Sequence, residues 1–295
     1  MIRHISAIGG RTARLTGLAT ATVLLVSACA PNGGGQGSIS GQGASGSENP
    51  LGHVHGLSVD PGTDNLMLAT HYGVFDLSGD EPEQIGPVND YMGFAVAGPD
   101  HYYASGHPGE DSDLPNPMGL IESTDGGETW QELSRQGESD FHAMAVSSEG
   151  VIGFDGTLRL TPDGQEWSEV DEQIQPAHLA ASPQDPVVLA TTEPGVQRSI
   201  DGGRTWELPE GAPVLLVTGF ADADTAVGVD PEGAVHVSRD AGLTWEETGG
   251  QTAQPAAVAA DVVDGGLRIW VATEEGVESS EDGGASFSTT VPVAE

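Results

Sequence analysis

The chain has 295 residues with no lysine, nine arginines and 45 Asp+Glu, a formal net charge of -36 and a pI near 4.1. This balance excludes a nucleic-acid binder that works by neutralising phosphates, and it gives a surface that repels anionic polymers and draws cations. A single cysteine, Cys29, excludes a disulfide framework, so the fold must be held by packing.

In chain order, residues 1–28 carry three arginines (Arg3, Arg11, Arg14) and no acid, then an apolar run from Leu15 to Val26 that is too short to cross a bilayer as a helix. Val26-Ser27-Ala28 stands directly before Cys29 and resembles a bacterial lipobox, whose cysteine is lipidated and becomes the new N-terminus. The expectation is a removed signal peptide over 1–28 and a lipid on Cys29. The mature chain is then extracytoplasmic, anchored by that lipid to the bacterial cell membrane, with six arginines against 45 acids. Residues 29–50 read as the lipidated Cys and a flexible Gly/Ser-rich linker. Residues 51–295 read as one domain, expected as a monomer.

Within that domain the sequence predicts six groups of four short strands, separated by Gly, Pro and Asp turns. The first group covers 54–59, 66–70, 74–77 and a weak strand near 84–85; the second covers 91–96, 102–105, 119–122 and 129–133. The third covers 141–146, 151–154, 158–160 and 166–170, and the fourth 177–181, 187–191, 196–199 and 205–208. The fifth covers 214–218, 226–229, 234–237 and 244–247, and the sixth 256–260, 268–273, 277–279 and 286–290. Between the third and fourth strands an octet recurs, as in Ser199-Ile200-Asp201-Gly202-Gly203-Arg204-Thr205-Trp206. Its aspartates (Asp125, Asp163, Asp201, Asp240 and Asp282) lie 38, 38, 39 and 42 residues apart, the period of one propeller blade. The fold class expected is an all-β, six-bladed β-propeller.

The octet resembles the BNR or Asp-box repeat, over about four and a half of six blades. Its aspartates read as structural, because Asp accepts hydrogen bonds from amides of its own turn, Gly supplies positive φ, and Trp packs between blades. Further phrases resemble a group of bacterial BNR-repeat lipoproteins described by analogy as glycosyl-hydrolase-like. They are His53-Val54-His55-Gly56-Leu57, Ala69-Thr70-His71-Tyr72-Gly73, Tyr103-Ala104-Ser105-Gly106-His107, Leu114-Pro115-Asn116-Pro117-Met118 and Asp140-Phe141-His142. That resemblance implies an enzyme but supplies no catalytic residues. Sialidase chemistry is disfavoured, since the arginines fall in Asp-box turns and strands instead of forming a cluster.

Six of the eight histidines after residue 29, and every methionine after Met1, lie between His53 and Met144. Aligned inner strands put His55, Met92, His142 and His178 at equivalent positions, with His53, His71, His107 and Met118 at the same end. That end is the top, opposite the Asp-box turns. Imidazole with thioether suits copper, Cu(I) above all, better than Ca2+ or Mg2+. The expected site is a copper ion held by some of His53, His55, His71, Met92, His107 and His142, with His55 and His142 foremost and Asp90 or Asp140 orienting rings or ligating. Two other readings use the same face: a glycosidase with carboxylates drawn from Asp90, Asp140, Asp111 and Asp113, and a platform for an envelope partner, small ligand or glycan.

Overall fold

Strong alternation and turn residues every few positions leave each segment one face to bury, and the chain satisfies this by folding into successive antiparallel meanders. A computed structural model describes residues 52–171 and 174–292; the expected signal peptide, Cys29 and linker lie outside them. Blade one contains β1 (Val54–Val59), β2 (Leu66–Thr70), β3 (Gly73–Asp76) and β4 (Glu83–Ile85). Blade two contains β5 (Asn89–Gly98), β6 (His101–Pro108), β7 (Leu120–Ser123) and β8 (Gln131–Ser134). Blade three contains β9 (Ala143–Ser147), β10 (Gly150–Phe154), β11 (Leu158–Thr161) and β12 (Ser168–Glu169). Blade four contains β13 (His178–Ala181), β14 (Val188–Thr192) and β15 (Gly195–Ser199). Blade five contains β16 (Val217–Phe220), β17 (Ala226–Val229), β18 (Ala234–Ser238) and β19 (Glu246–Gln251). Blade six contains β20 (Pro255–Val263), β21 (Gly266–Thr273), β22 (Gly276–Ser280) and β23 (Ser288–Pro292).

The protein is thus a six-bladed propeller; several strand bounds shift from the sequence expectation, among them those of blades four and three. In blade four the predicted last strand is reduced to one bridge, in which Arg198 and Glu207 exchange backbone hydrogen bonds at 2.8 and 2.9 Å. Pro209 follows at once and its carbonyl accepts from Ala212 N at 3.2 Å, so the chain turns instead of extending the ladder. In blade three the inner strand begins at Ala143, leaving His142 just outside it.

The inner strands are neighbours in sequence order, and β20 also neighbours β1, closing the ring. Closure uses no exchanged strand among the described residues: blade six is built wholly from β20–β23 and packs against blade one through side chains. Leu57, Leu66, Leu68, Phe75 and Leu77 of blade one share a core with Ala257, Ala259, Ala272 and Val277 of blade six. Burying each large aliphatic group there contributes about 1.5–3 kcal/mol.

The Asp-box turns connect the third and fourth strands at the bottom. Asp201 Oδ1 accepts from Thr205 N at 2.9 Å and from Ser199 Oγ at 2.8 Å, while Oδ2 accepts from Thr205 Oγ1 at 2.7 Å. Asp125, Asp240 and Asp282 repeat the pattern with Thr129, Thr244 and Ser286. Donation from the Ser286 hydroxyl and amide holds the Asp282 carboxyl down to about 2. In the shortened box Asp163 accepts from Gln165 N at 2.9 Å. The box aromatics fill the seams between blades: Trp130 packs with Ile85 and Tyr91, and Trp167 stacks on Phe141 at 4.8 Å.

Candidate metal centre

The top of blades one to three is shaped by bulges and anchored turns. In β1 the ladder pairs Val54 with Thr70 and then Gly56 with Ala69, so His55 is an extra residue. In β5 the pairing steps from Asp90–His107 to Gly93–Ser105, with Tyr91 and Met92 opposite Gly106 alone. Bulges re-aim side chains at the rims of barrels and propellers. Here they turn His55 toward the neighbouring blade and set Met92 two residues beyond Asp90.

Asp90 is held from both sides. Asn89 is fully buried, accepts from Gly109 N through Oδ1 at 2.9 Å, and donates through Nδ2 to Tyr91 Oη at 3.2 Å. Tyr91 is also fully buried and donates to Pro87 O at 3.3 Å. With both flanking side chains anchored inward, strand alternation turns Asp90 the other way.

Asp90 Oδ1 lies 3.9 Å from His55 Nε2 and 3.8 Å from His71 Nε2. The three donor atoms are all within 4.8 Å of one another. The His55 and His71 rings stack at 4.6 Å with planes 18° apart, and His53, in the left-handed region at φ 57°, packs its ring 4.9 Å from His71. Thr70 Oγ1 accepts from Tyr72 N at 2.9 Å and so fixes the turn carrying His71. His55 Nε2 and Asp90 Oδ1 are both buried and have no hydrogen-bond partner.

Burial first, and then the neighbouring imidazoles His71, His142 and His53, lower the His55 pKa from 6.5 to about 4, with Asp140 opposing. The ring is therefore neutral at pH 7 and its lone pair is free. Burial pushes the Asp90 carboxyl up, with His71 and His107 opposing. Both shifts have the same physical origin, a water-poor pocket that lacks a compensating charge.

His107 and His142, also expected in the site, gather around a different carboxylate. Asp140 Oδ2 lies 2.7 Å from His142 Nε2 and 3.2 Å from His107 Nε2. His107 Nδ1 lies 2.8 Å from Asn116 Oδ1. Asn116 was not anticipated from sequence; it stands between Pro115 and Pro117 in the loop after β6. His55 and His142, the foremost pair in the sequence reading, thus belong to two adjacent groups.

Other candidates are separated from both groups. Met118 is fully buried in the core between blades one and two, so its thioether faces apolar neighbours rather than the top. Asp111 and Asp113 are exposed in the loop between β6 and β7 and, among the described residues, form no ion pair with a histidine. His178 lines a central channel of about 360 Å³ with His55 and His142, and burial lowers its pKa to about 4. Five arginines of the blades are spread and paired: Arg135 with Glu138 and Asp155, Arg159 with Asp155 and Glu169, Arg198 with Glu207, Arg204 with Glu149, and Arg268 with Asp261.

The BNR/Asp-box repeat model matches residues 121–132. No curated protein matches the chain. Among solved structures it is similar to the GH74 enzyme of Niastella koreensis, with 18% identity and a TM-score of 0.57 over 80% of this chain. It is also similar to an ancestral GH74 enzyme, with 13% identity and a TM-score of 0.53 over 83% of this chain. It spans only 37% and 39% of those two enzymes. A structure of YCF48 bound to D1 peptide matches with 17% identity and a TM-score of 0.49, over 82% of this chain and 83% of that one. At such identities the likeness is one of fold. The chain is a six-bladed β-propeller carrying BNR/Asp-box repeats.

Proposed function

We propose that this protein is a lipid-anchored, extracytoplasmic copper-binding propeller that holds one ion between His55, His71 and Asp90 at the mouth of its channel. The observation that carries the reading is the unpartnered pair His55 Nε2 and Asp90 Oδ1, buried and 3.9 Å apart with the second imidazole alongside. Buried polar atoms are normally satisfied, and a cation satisfies all three donors at once. Bonds of about 2.0–2.2 Å place ligand atoms about 3.4 Å apart around a tetrahedral ion, and about 3 Å apart at the right angles of the tetragonal geometry that Cu(II) prefers. The two histidine–Asp90 edges of 3.9 and 3.8 Å, and the third edge within 4.8 Å, must all shorten toward that spacing when an ion binds.

Two imidazoles and a carboxylate form a nitrogen/oxygen set, which among divalent first-row ions favours Cu(II). Met92, two residues beyond Asp90, offers a thioether to the reduced ion. The low pKa of His55 supports binding down to mildly acidic pH, because that ligand needs no deprotonation. Titration of the purified protein with Cu(II) and Zn(II), read by bound metal and by the copper visible spectrum, tests the site. Tighter Cu(II) binding, lost in His55→Ala and His71→Ala, is expected; unchanged binding in both variants overturns it.

A second reading, glycoside hydrolysis, draws on the raised pKa of Asp90, the direction required of a general acid. Turnover of a glycoside panel that is insensitive to chelation and abolished by Asp90→Asn would favour it over copper binding.

A further inference from the structure

The ladders set the six inner strands level with one another. Thr191 lies three residues beyond Val188, the partner of the first Asp-box residue Ser199, and it pairs with His178. The same count in blades two, three, five and six leads to Gly93, Ala143, Val217 and Ala257. In blade one the hairpin pair Thr70–Gly73, which matches Thr192–Gly195 of blade four, leads to Gly56. His178 thus stands one position further into the channel than His142, with which the sequence alone aligned it, and it is the one polar side chain of the six. At the next level blades one to four and six supply Leu57, Phe94, Met144, Leu179 and Val258, while blade five supplies the hydroxyl of Thr218.

We propose that the channel is a binding site for a small uncharged organic molecule, an alcohol or carbonyl compound with an apolar frame, whose polar group is held by His178 and Thr218. Both residues lie outside the two histidine–carboxylate groups, so the inference stands apart from the metal reading. Both side chains line the channel, yet His178 Nδ1 and Thr218 Oγ1 are buried and have no hydrogen-bond partner among the described residues. Buried polar atoms are normally paired, and these two exceptions fall on neighbouring blades at successive levels of an apolar band. Neither atom is open to solvent where it stands. A staggered step about Thr218 χ1, or a half-turn of the imidazole, brings the polar edge into the channel to meet a partner there.

Size and charge narrow the class of molecule. The channel volume of about 360 Å³ falls in the range of small-molecule pockets, where apolar walls with a few convergent polar groups are usual. Burial lowers the His178 pKa to about 4, so at pH 7 the ring donates or accepts a hydrogen bond but offers no charge to an anion. Both mouths repel anions as well: Asp90 and Asp140 stand at the top, and Asp64 and Asp222 line the channel beyond the ends of the inner strands. A cation that reached the two levels would shed its hydration among side chains that carry no carboxylate. A neutral molecule avoids both costs, with the aliphatic groups covering its frame.

The test is a ligand-observed NMR titration of the whole protein with benzyl alcohol, toluene and benzoate, in the presence of a chelator so that no ion at the mouth takes part. Thermal unfolding is the folding control. Benzyl alcohol is expected to bind, toluene to bind about fivefold more weakly for want of one hydrogen bond, and benzoate not to bind. Thr218→Val and His178→Leu should each bring benzyl alcohol down to the affinity of toluene. Thr218→Val should also melt no lower than the wild type, because the hydroxyl it removes has no partner within the described residues. A clear fall in its melting temperature would show that the hydroxyl serves the fold, and would overturn its assignment to a ligand. Failure of both neutral compounds to bind would mean that the channel takes water only, and overturns the site. Equal affinity for benzyl alcohol and toluene, or a preference for the alcohol that survives both substitutions, overturns the role of His178 and Thr218. Each of these failures leaves the copper reading standing, since no metal takes part.

Discussion

Asp90 and His107 face each other across the β5–β6 ladder, and the residue beside them, Gly106, leaves no room for any other side chain. Gly106 has φ +137°, and a Cβ built there would lie 2.0 Å from the backbone oxygen of Asp90. Gly106→Ala is therefore expected to cost about 3 kcal/mol or more and to displace the Asp90 carboxylate. Gly98→Ala at the end of the partner strand β5, where a Cβ meets nothing within 4 Å, is the matched control. Urea unfolding and metal titration of the two variants check the difference; equal stability and equal metal affinity would contradict it.

The Asp-boxes should govern stability without touching the top face. Asp201→Ala removes the acceptor for Thr205 N, Thr205 Oγ1 and Ser199 Oγ. These bonds lie near solvent, so a loss of about 1–2 kcal/mol is expected. Metal stoichiometry and affinity should remain those of the wild type. A variant equally stable but deficient in metal would reverse the assignment of the two faces.

His178 should impose an acid limit on stability. Its pKa falls from 6.5 in the unfolded chain to about 4 in the folded one through burial. The unfolded state therefore binds the proton first, so this contribution is fully present above pH 6.5 and is lost as pH falls toward 4. The full difference is on the order of 3 kcal/mol. His178→Leu should flatten the decline of melting temperature across that window, whereas an unchanged pH profile would mean that His178 titrates alike in both states.

Membrane attachment should depend on Cys29, which lies outside the described residues. Cys29→Ala is expected to move the protein out of the lipid-modified membrane fraction, measured by fractionation and mass. An uncleaved protein still held in the membrane would mean that the apolar run itself is the anchor.

Much of the fold was legible because repetition states it several times over. The box at Asp201 and its counterparts fixed the blade period, and period with turn chemistry fixed the strand order and the end of each blade. Boundaries slipped where backbone irregularity intervened. The bulge at Met92 is specified by pairing across β5 and β6, and the lost fourth strand of blade four follows from the turn at Pro209. The histidines were legible as a group, since their crowding into blades one to three departs from the repeat. Their partition was not, and neither was the role of Asn116.

The sequence alone determined the all-β repeat, the blade number and the face on which His53, His55, His71, His107 and His142 gather, because these depend on local periodicity and strand polarity. Tertiary structure decided which imidazole meets which carboxylate. Asp90 joins His55 and His71 across a blade seam, while Asp140 joins His107 and His142 across the next. The pairing depends on bulges that rotate side chains out of register and on contacts between residues far apart in the chain. Strand alternation assigns a side chain to a face but does not set its distance from a neighbouring blade.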